Sequence, residues 1–335
     1  TISGLSNLGT GAAAQTMFGI NNTAASTNIY NNNINDLTNS GPSATSLISG
    51  IYSGGATPVI YNNFISNLKM PASTSQVGTF GINCAAATTH KIYYNTISLG
   101  TSGLPLTGTG ANYGVSGVGF LASAVTDLRN NIISVFATPL GTGSATCVSF
   151  TPAGVANTIS TNFATTSNNN IYTINSGANN YLYAEGTRTA TIVNGYALSG
   201  LTPSVTSNIV NDPAFNTSCG LYKAKVTPRD QATFSENNLV AGTPVGTFAP
   251  SGASYAENGA QAITTPSITT DFAAVNRTPT NDIGALQFAG TATDAVAPSI
   301  TYTAITGSTN ACTAVVSATI TDASGVNVTA GTAPR

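Results

Sequence analysis

Aliphatic side chains in this chain fall at fixed places relative to asparagine. The phrases NIYNNNI, VIYNNFI, KIYYNTI and DLRNNII surround Asn32, Asn63, Asn95 and Asn131, and a fainter TSNNNIY surrounds Asn169. Ile29 and Ile34, Ile60 and Ile65, Ile92 and Ile97, and Leu128 and Ile133 stand three residues before and two after the first four anchors. That five-residue interval fits neither strict alternation nor one helical face. It fits two short strands whose alternation is reset by a bend at the asparagine pair. Asparagine tolerates the left-handed conformation such a bend needs, and its amide can bond the same amide one layer up. Asn32, Asn63, Asn95, Asn131 and Asn169 are therefore expected to form a structural ladder. A second phrase, Gly19-Ile20, Gly50-Ile51, Gly81-Ile82 and Gly117-Val118, precedes its asparagine by 13, 13, 14 and 14 residues. Units 31 to 38 residues apart by their asparagines cannot bury an apolar face alone and must stack. No stretch shows a capped i, i+3, i+4 pattern, so helical repeats are excluded.

These units resemble the right-handed parallel β-helix repeats of pectate-lyase-like and surface-adhesin proteins, over roughly residues 15–215. The resemblance implies an all-β chain: a right-handed single-stranded parallel β-helix (solenoid) followed by a truncated β-sandwich (Ig-like) segment. Residues 1–215 would be the repeats, 216–290 the final coils and C-terminal cap, and 291–335 a linker with the first strands of an Ig-like domain. The segment DFAAVNRTPTNDIGALQF is similar to the closing stretch of secreted bacterial β-helix proteins, written DxxGxxR and then DIGAxEF. Ala274 and Gln287 stand where that pattern has glycine and glutamate. A last coil exposes edge groups and an open core, so Asp271, Arg277 and Asp282 are expected to pair in a cap that covers it. Farther on, Ile300, Tyr302 and Ile305, then Val315, Ala318 and Ile320, fit sandwich strands. The ITDASGV strand-turn resembles Ig-like modules of surface proteins exported by type IX secretion. The opening TISGLSNLGT lacks a methionine and a signal-peptide core, which reads as a processed or partial product of something longer.

Composition narrows the setting. Charged residues make up 6% of the chain, against about 25% in ordinary soluble domains, so the surface is built from Ser, Thr, Asn and Gly. That suits an extracellular or bacterial cell-surface protein facing glycans. A net charge of −2 without a basic cluster argues against nucleic acid, and no run of 18 apolar residues is available to span a bilayer. Cys84, Cys147, Cys219 and Cys312 have no CxxC spacing and one histidine, His90, to share a metal with, so no metal and no cofactor is assigned. Buried free thiols and one disulfide remain equal alternatives. The Gly-, Pro-, Ser- and Thr-rich loops LTNSGPSATS, LKMPASTSQVGT, LGTSGLPLTGTGANY and FATPLGTGSAT recur at one point of the repeat and should emerge along one edge.

Chemistry has few residues to work with. β-Helix lyases need acidic calcium ligands and a Lys or Arg base, and hydrolases need carboxylates held close together. Within the first four repeats, those anchored on Asn32 to Asn131, only Asp36 and Asp127 are acidic, at different repeat positions, so no catalytic residue is assigned. Lys91 and Asp127 both stand four before their anchors and should pair across one layer; His90 reads as a surface or loop residue. Tyr30, Tyr61, Tyr93 and Arg129 stand two before their anchors, and strand alternation turns them outward. They are expected to form an exposed ladder about 15 Å long at the layer spacing. Such a ladder can hold sugar rings, or it can simply stack coil on coil. The first reading of function is a noncatalytic secreted adhesin or stalk module exported by type IX secretion, with surface glycans or the secretion and outer-membrane machinery as partners. The alternative is a polysaccharide lyase or glycoside hydrolase on the same scaffold. Acidic residues clustered on one face would favour the enzyme.

Overall fold

The computed structural model describes residues 1–150 except 87–88, 101–103 and 121–124, and then 164, 166–167, 169–174, 179–185, 190–193, 253–254, 256–277, 281–287, 291–292, 299–302 and 318–321. It divides into two compact units, Thr1–Ala292 and Thr293–Arg335. No helix occurs among the described residues.

The first unit is a parallel β-solenoid of about five turns. Each full coil contributes three strands, one to each of three parallel sheets. A glycine-bearing sheet takes Thr16–Asn22, Leu47–Ser53, Thr79–Cys84, Val115–Phe120, Ala145–Phe150 and Asn180–Glu185, with Ala190–Val193 added antiparallel. A tyrosine sheet takes Asn28–Tyr30, Val59–Tyr61, Thr89–Tyr93 and Val125–Arg129. The third sheet takes Asn33–Asn39, Phe64–Lys69, Thr96–Leu99, Ile132–Val135 and Ile171–Ile174. Ile2–Ser3 and Ser6–Asn7 pair with the outer side of its first strand.

Equivalent positions lie in register from coil to coil. Ile34, Ile65, Ile97, Ile133 and Tyr172 form one inward column, and Ile29, Ile60, Ile92 and Leu128 another. Nearly all are completely buried, and each such side chain contributes about 1.5–3 kcal/mol by leaving water. The glycine column answers the isoleucine column across the core. A Cβ on Gly81 would come within 2.6 Å of Ile97 Cγ2 and 2.5 Å of the Gly117 carbonyl. Glycine is thus required there by close approach, and the two phrases of each repeat are two walls of one coil.

The asparagine corner supplies the turn between the tyrosine sheet and the third sheet. Asn31, Asn62, Tyr94, Asn130 and Asn169 take left-handed φ values of 54°, 53°, 52°, 59° and 58°. The next residue in each coil carries the ladder. Asn63 donates its N–H and Nδ2 to Asn95 Oδ1 at 3.1 and 2.9 Å, and Nδ2 also to the Ile29 carbonyl at 2.9 Å. The same pattern links Asn32 to Asn63, Asn95 to Asn131 and Asn131 to Asn170. Asn170, not Asn169, is the fifth rung. The inward position in that coil is Tyr172, aligned with Ile133, so an alignment on isoleucine places the anchor one residue early.

Loops leaving the third sheet bond to one another along one edge. Thr74 Oγ1 donates to the Pro42 carbonyl, Thr109 N–H to the Pro71 carbonyl, and Gln76 Nε2 to Thr142 Oγ1. Cys84 and Cys147 are buried thiols on the glycine sheet, and burial pushes the Cys84 thiol well up; Cys219 and Cys312 lie outside the described residues. So does 194–252, which includes most of the final coils expected between 216 and 290. In the second unit Ser299–Tyr302 pairs antiparallel with Ala318–Thr321, Ile300 opposite Ile320. Ile305 and Val315 lie outside the described residues.

Candidate functional site

The outer face of the tyrosine sheet carries the densest polar and aromatic chemistry among the described residues. Two columns run along it: Asn28, Val59, Lys91 and Asp127, and beside them Tyr30, Tyr61, Tyr93 and Arg129. Exposure changes along the second column. Tyr30 is 50% exposed, Tyr61 is half-buried and Tyr93 is 1% exposed. The expected four-member exposed ladder is therefore corrected to an exposed end at Tyr30 and Tyr61. Their rings stack at 4.8 Å with planes 3° apart. Because that stacking occupies the facing surfaces, the flat area left for a ligand is the outer face of Tyr30 and the rim of Tyr61.

The buried end is an ion-pair cluster. Arg129 holds Asp127 through two bonds, Nε to Oδ1 at 2.7 Å and Nη2 to Oδ2 at 2.6 Å. Tyr93 donates its hydroxyl to Asp127 Oδ2 at 2.7 Å, and Arg129 lies 5.5 Å from the Tyr93 ring centre. Burial and this hydrogen bond raise the Tyr93 phenol far above its ordinary range. Asp127 is thus paired within its own strand and not with Lys91, although Lys91 is its register neighbour. A side chain two residues along the same strand face lies within reach, and its guanidinium offers the bidentate geometry an ammonium lacks. His90 also departs from expectation: it is completely buried, with Nε2 3.2 Å from the Ser53 carbonyl. The other acid in the repeats, Asp36, sits on the third sheet with Asn67 Nδ2 at 2.9 Å and Lys69 Nζ at 3.4 Å.

Residues 256–277 and 281–287 explain why Tyr93 is buried. They run along the flank of the stack at the asparagine corner, across the described coils. Asn169 bonds the Gly259 carbonyl, Asn130 exchanges two bonds with Gln261, Tyr94 donates its hydroxyl to the Gln261 carbonyl, and Asn62 donates to the Thr270 carbonyl. Four successive coils are spanned. The strap returns through Gly284 N–H to the Asn130 carbonyl and Ala285 N–H to Thr96 Oγ1. Beneath it Phe64, Ile132 and Ile171 pack with Ile283, Ala285 and Leu286, while Ile263 and Ile268 cover Tyr93 and Tyr94.

Asp271, Arg277 and Asp282 are all completely buried in this strap, where both carboxylates favour the charged form of Arg277. Arg277 donates Nη1 to the Asp282 carbonyl, and Nη2 to the Gly284 carbonyl and Asn62 Oδ1, all at 2.9–3.0 Å. Its guanidinium lies 3.9 Å from the Tyr94 ring centre. Burial pushes Arg277 down to about 10, which leaves it a cation at neutral pH. Asp271 accepts the N–H groups of Ala273, Val275 and Gln287, and Asp282 that of Asn258. The corner asparagines that seat the strap were visible only as bend formers; nothing in their spacing announces partners 90 to 208 residues downstream.

One further feature carries no signal in the repeat register. Phe18 and Tyr52, on neighbouring coils of the glycine sheet, have ring centres 4.6 Å apart. Among the described residues no group of three or more His, Cys, Asp or Glu could hold a metal ion, and no helix is long and apolar enough to cross a membrane. Comparison with protein-family models, with curated proteins and with solved structures finds no match to this chain.

Proposed function

We propose that this chain is a noncatalytic module of a secreted bacterial surface protein, a right-handed β-helical adhesin or stalk exported by type IX secretion and continued by an Ig-like domain. The observation that carries the reading is how the two carboxylates of the first four repeats are used. Asp127 is held by Arg129 and the Tyr93 hydroxyl, and Asp36 by Asn67 and Lys69, on different sheets and different coils. Neither is poised beside a second acid as hydrolysis requires. A stack cross-braced by an asparagine ladder and a lateral strap is suited to bearing load.

The open contact surface is the Tyr30 face and the Tyr61 rim, which suit the apolar face and hydroxyls of a sugar ring. Glycan-array binding of the whole chain beside its Tyr30→Ala and Tyr61→Ala forms tests this. Binding by the parent that both changes abolish, without release of unsaturated products or reducing ends, is the expected result. Product release from any polysaccharide would move the reading to the lyase or hydrolase, and equal binding by all three forms would remove the tyrosines from it.

A further inference from the structure

The tyrosine-sheet face has a charge that the tyrosines alone do not explain. Among the described residues four side chains are basic. Lys69 pairs with Asp36, Arg129 with Asp127, and Arg277 is sealed under the strap. Lys91 is partly exposed, and its register neighbours Val59 and Asp127 give it no carboxylate: the first is apolar, and the second is already held from two sides by Arg129. The face thus carries two cations against one carboxylate, in a chain whose formal charge is −2. Strand alternation puts Lys91 on the same side as the Tyr30 and Tyr61 rings. Lys91 and Asn28 lie two layers apart, about 10 Å at the usual strand spacing. Ile263 and Ile268 of the strap, packed against Val59 and Tyr61, wall one side of this surface.

An ammonium with no carboxylate partner among the described residues, set beside an apolar ring, selects a ligand that is itself amphipathic and anionic. We infer that the outer face of the tyrosine sheet binds a negatively charged glycan, a sugar ring lying against Tyr30 and the Tyr61 rim while a carboxylate or sulfate on the same chain reaches Lys91. This rests on the glycan-contact reading above and adds the sign of charge that the ligand must bear. Asp127 does not repel the anion, because Arg129 neutralises it; Asn28, exposed next to Tyr30 along the strand, adds a neutral donor and acceptor. The charge–charge contact at a partly exposed site is screened by salt, so affinity should fall as ionic strength rises.

Native-gel affinity electrophoresis of the whole chain, with polygalacturonate, dextran sulfate or neutral dextran cast in the gel, reads the inference directly. The expected result is retardation by one or both anionic polymers and none by neutral dextran. Lys91→Gln should weaken it about tenfold and Lys91→Arg should keep it. Tyr30→Ala should abolish it and Tyr30→Phe should retain most of it. Lys69→Gln makes the same charge change elsewhere and should leave retardation unaltered. If Lys69→Gln weakens binding as much as Lys91→Gln, the attraction is diffuse and the site is overturned. Retardation by neutral dextran that Lys91→Gln does not touch overturns the anionic ligand while leaving the glycan-contact reading standing. Absence of retardation by all three polymers, with no binding on a glycan array, removes both.

Discussion

Ala274 occupies a position with φ +64°, in the left-handed region, where an L-residue with a Cβ costs about 1–2 kcal/mol. It is also the place where the resembling pattern has glycine, so the departure seen in the sequence has a physical cost. Ala274→Gly should raise stability by about 0.5–1 kcal/mol, the relieved strain less the extra chain entropy of glycine; a lower midpoint in urea would contradict this. The asparagine ladder is the second residue-scale test. Removing the Asn95 side chain takes a partner from the buried Asn63 N–H and from the Ile60 and Tyr93 carbonyls, while Asn131 Oδ1 keeps the backbone N–H of residue 95. Asn95→Ala should cost about 3–5 kcal/mol at about 1–3 kcal/mol for each group left unpaired. Asn32, partly exposed at the first rung, should cost about 1 kcal/mol when changed alike, and equal losses at the two sites would show that the rungs are not layered as described. Much of this was legible in the sequence, because a ladder needs the same residue type at every turn. The fifth rung was not: three successive asparagines, 168 to 170, offered two registers, and the inward residue that decides between them is a tyrosine.

At the scale of elements, the glycine strands show what short-range pattern leaves out. Gly19, Gly50, Gly81 and Gly117 marked a repeat but not a reason, since their partners Ile34, Ile65, Ile97 and Ile133 lie 15 or 16 residues away and across the core. The strap was legible as a buried Asp–Arg–Asp segment but not as one that lies along the flank of the stack. Its seat is made by Asn62, Tyr94 and Asn130, whose outward side chains look like ordinary bend residues until the strap lies on them. Tyr94 offers a handle on its docking. Burial raises its phenol to about 12, against opposing attraction from Arg277, and the hydroxyl donates to the Gln261 carbonyl. With the folded value above the unfolded one of about 10, this contribution is complete below pH 10 and is lost as pH rises toward 12. Stability should therefore fall over pH 10–12, with tyrosinate absorbance appearing together with unfolding. Tyr94→Phe should flatten that fall, and an unchanged pH profile would separate Tyr94 from strap docking.

Across the described coils of the first unit, three devices act together: an inward aliphatic column, an amide ladder at one corner and a strap down the flank. Each alone is periodic or local, and together they hold coils that have no independent core. The scarcity of charge follows from this design, because Ser, Thr and Asn can bond between layers where repeated like charges would repel. All of it depends on the coils lying one above another in the stated register. Bridging by dibromobimane, which fluoresces only when it joins two neighbouring thiols, tests that most directly. Thr89 and Val125 are exposed register partners on adjacent coils, whereas Asn28 is on the first strand of the same sheet. The Thr89→Cys/Val125→Cys protein should become fluorescent in the native state and the Asn28→Cys/Val125→Cys protein should stay dark. A dark adjacent pair, or a bright distant one, would contradict the layered solenoid.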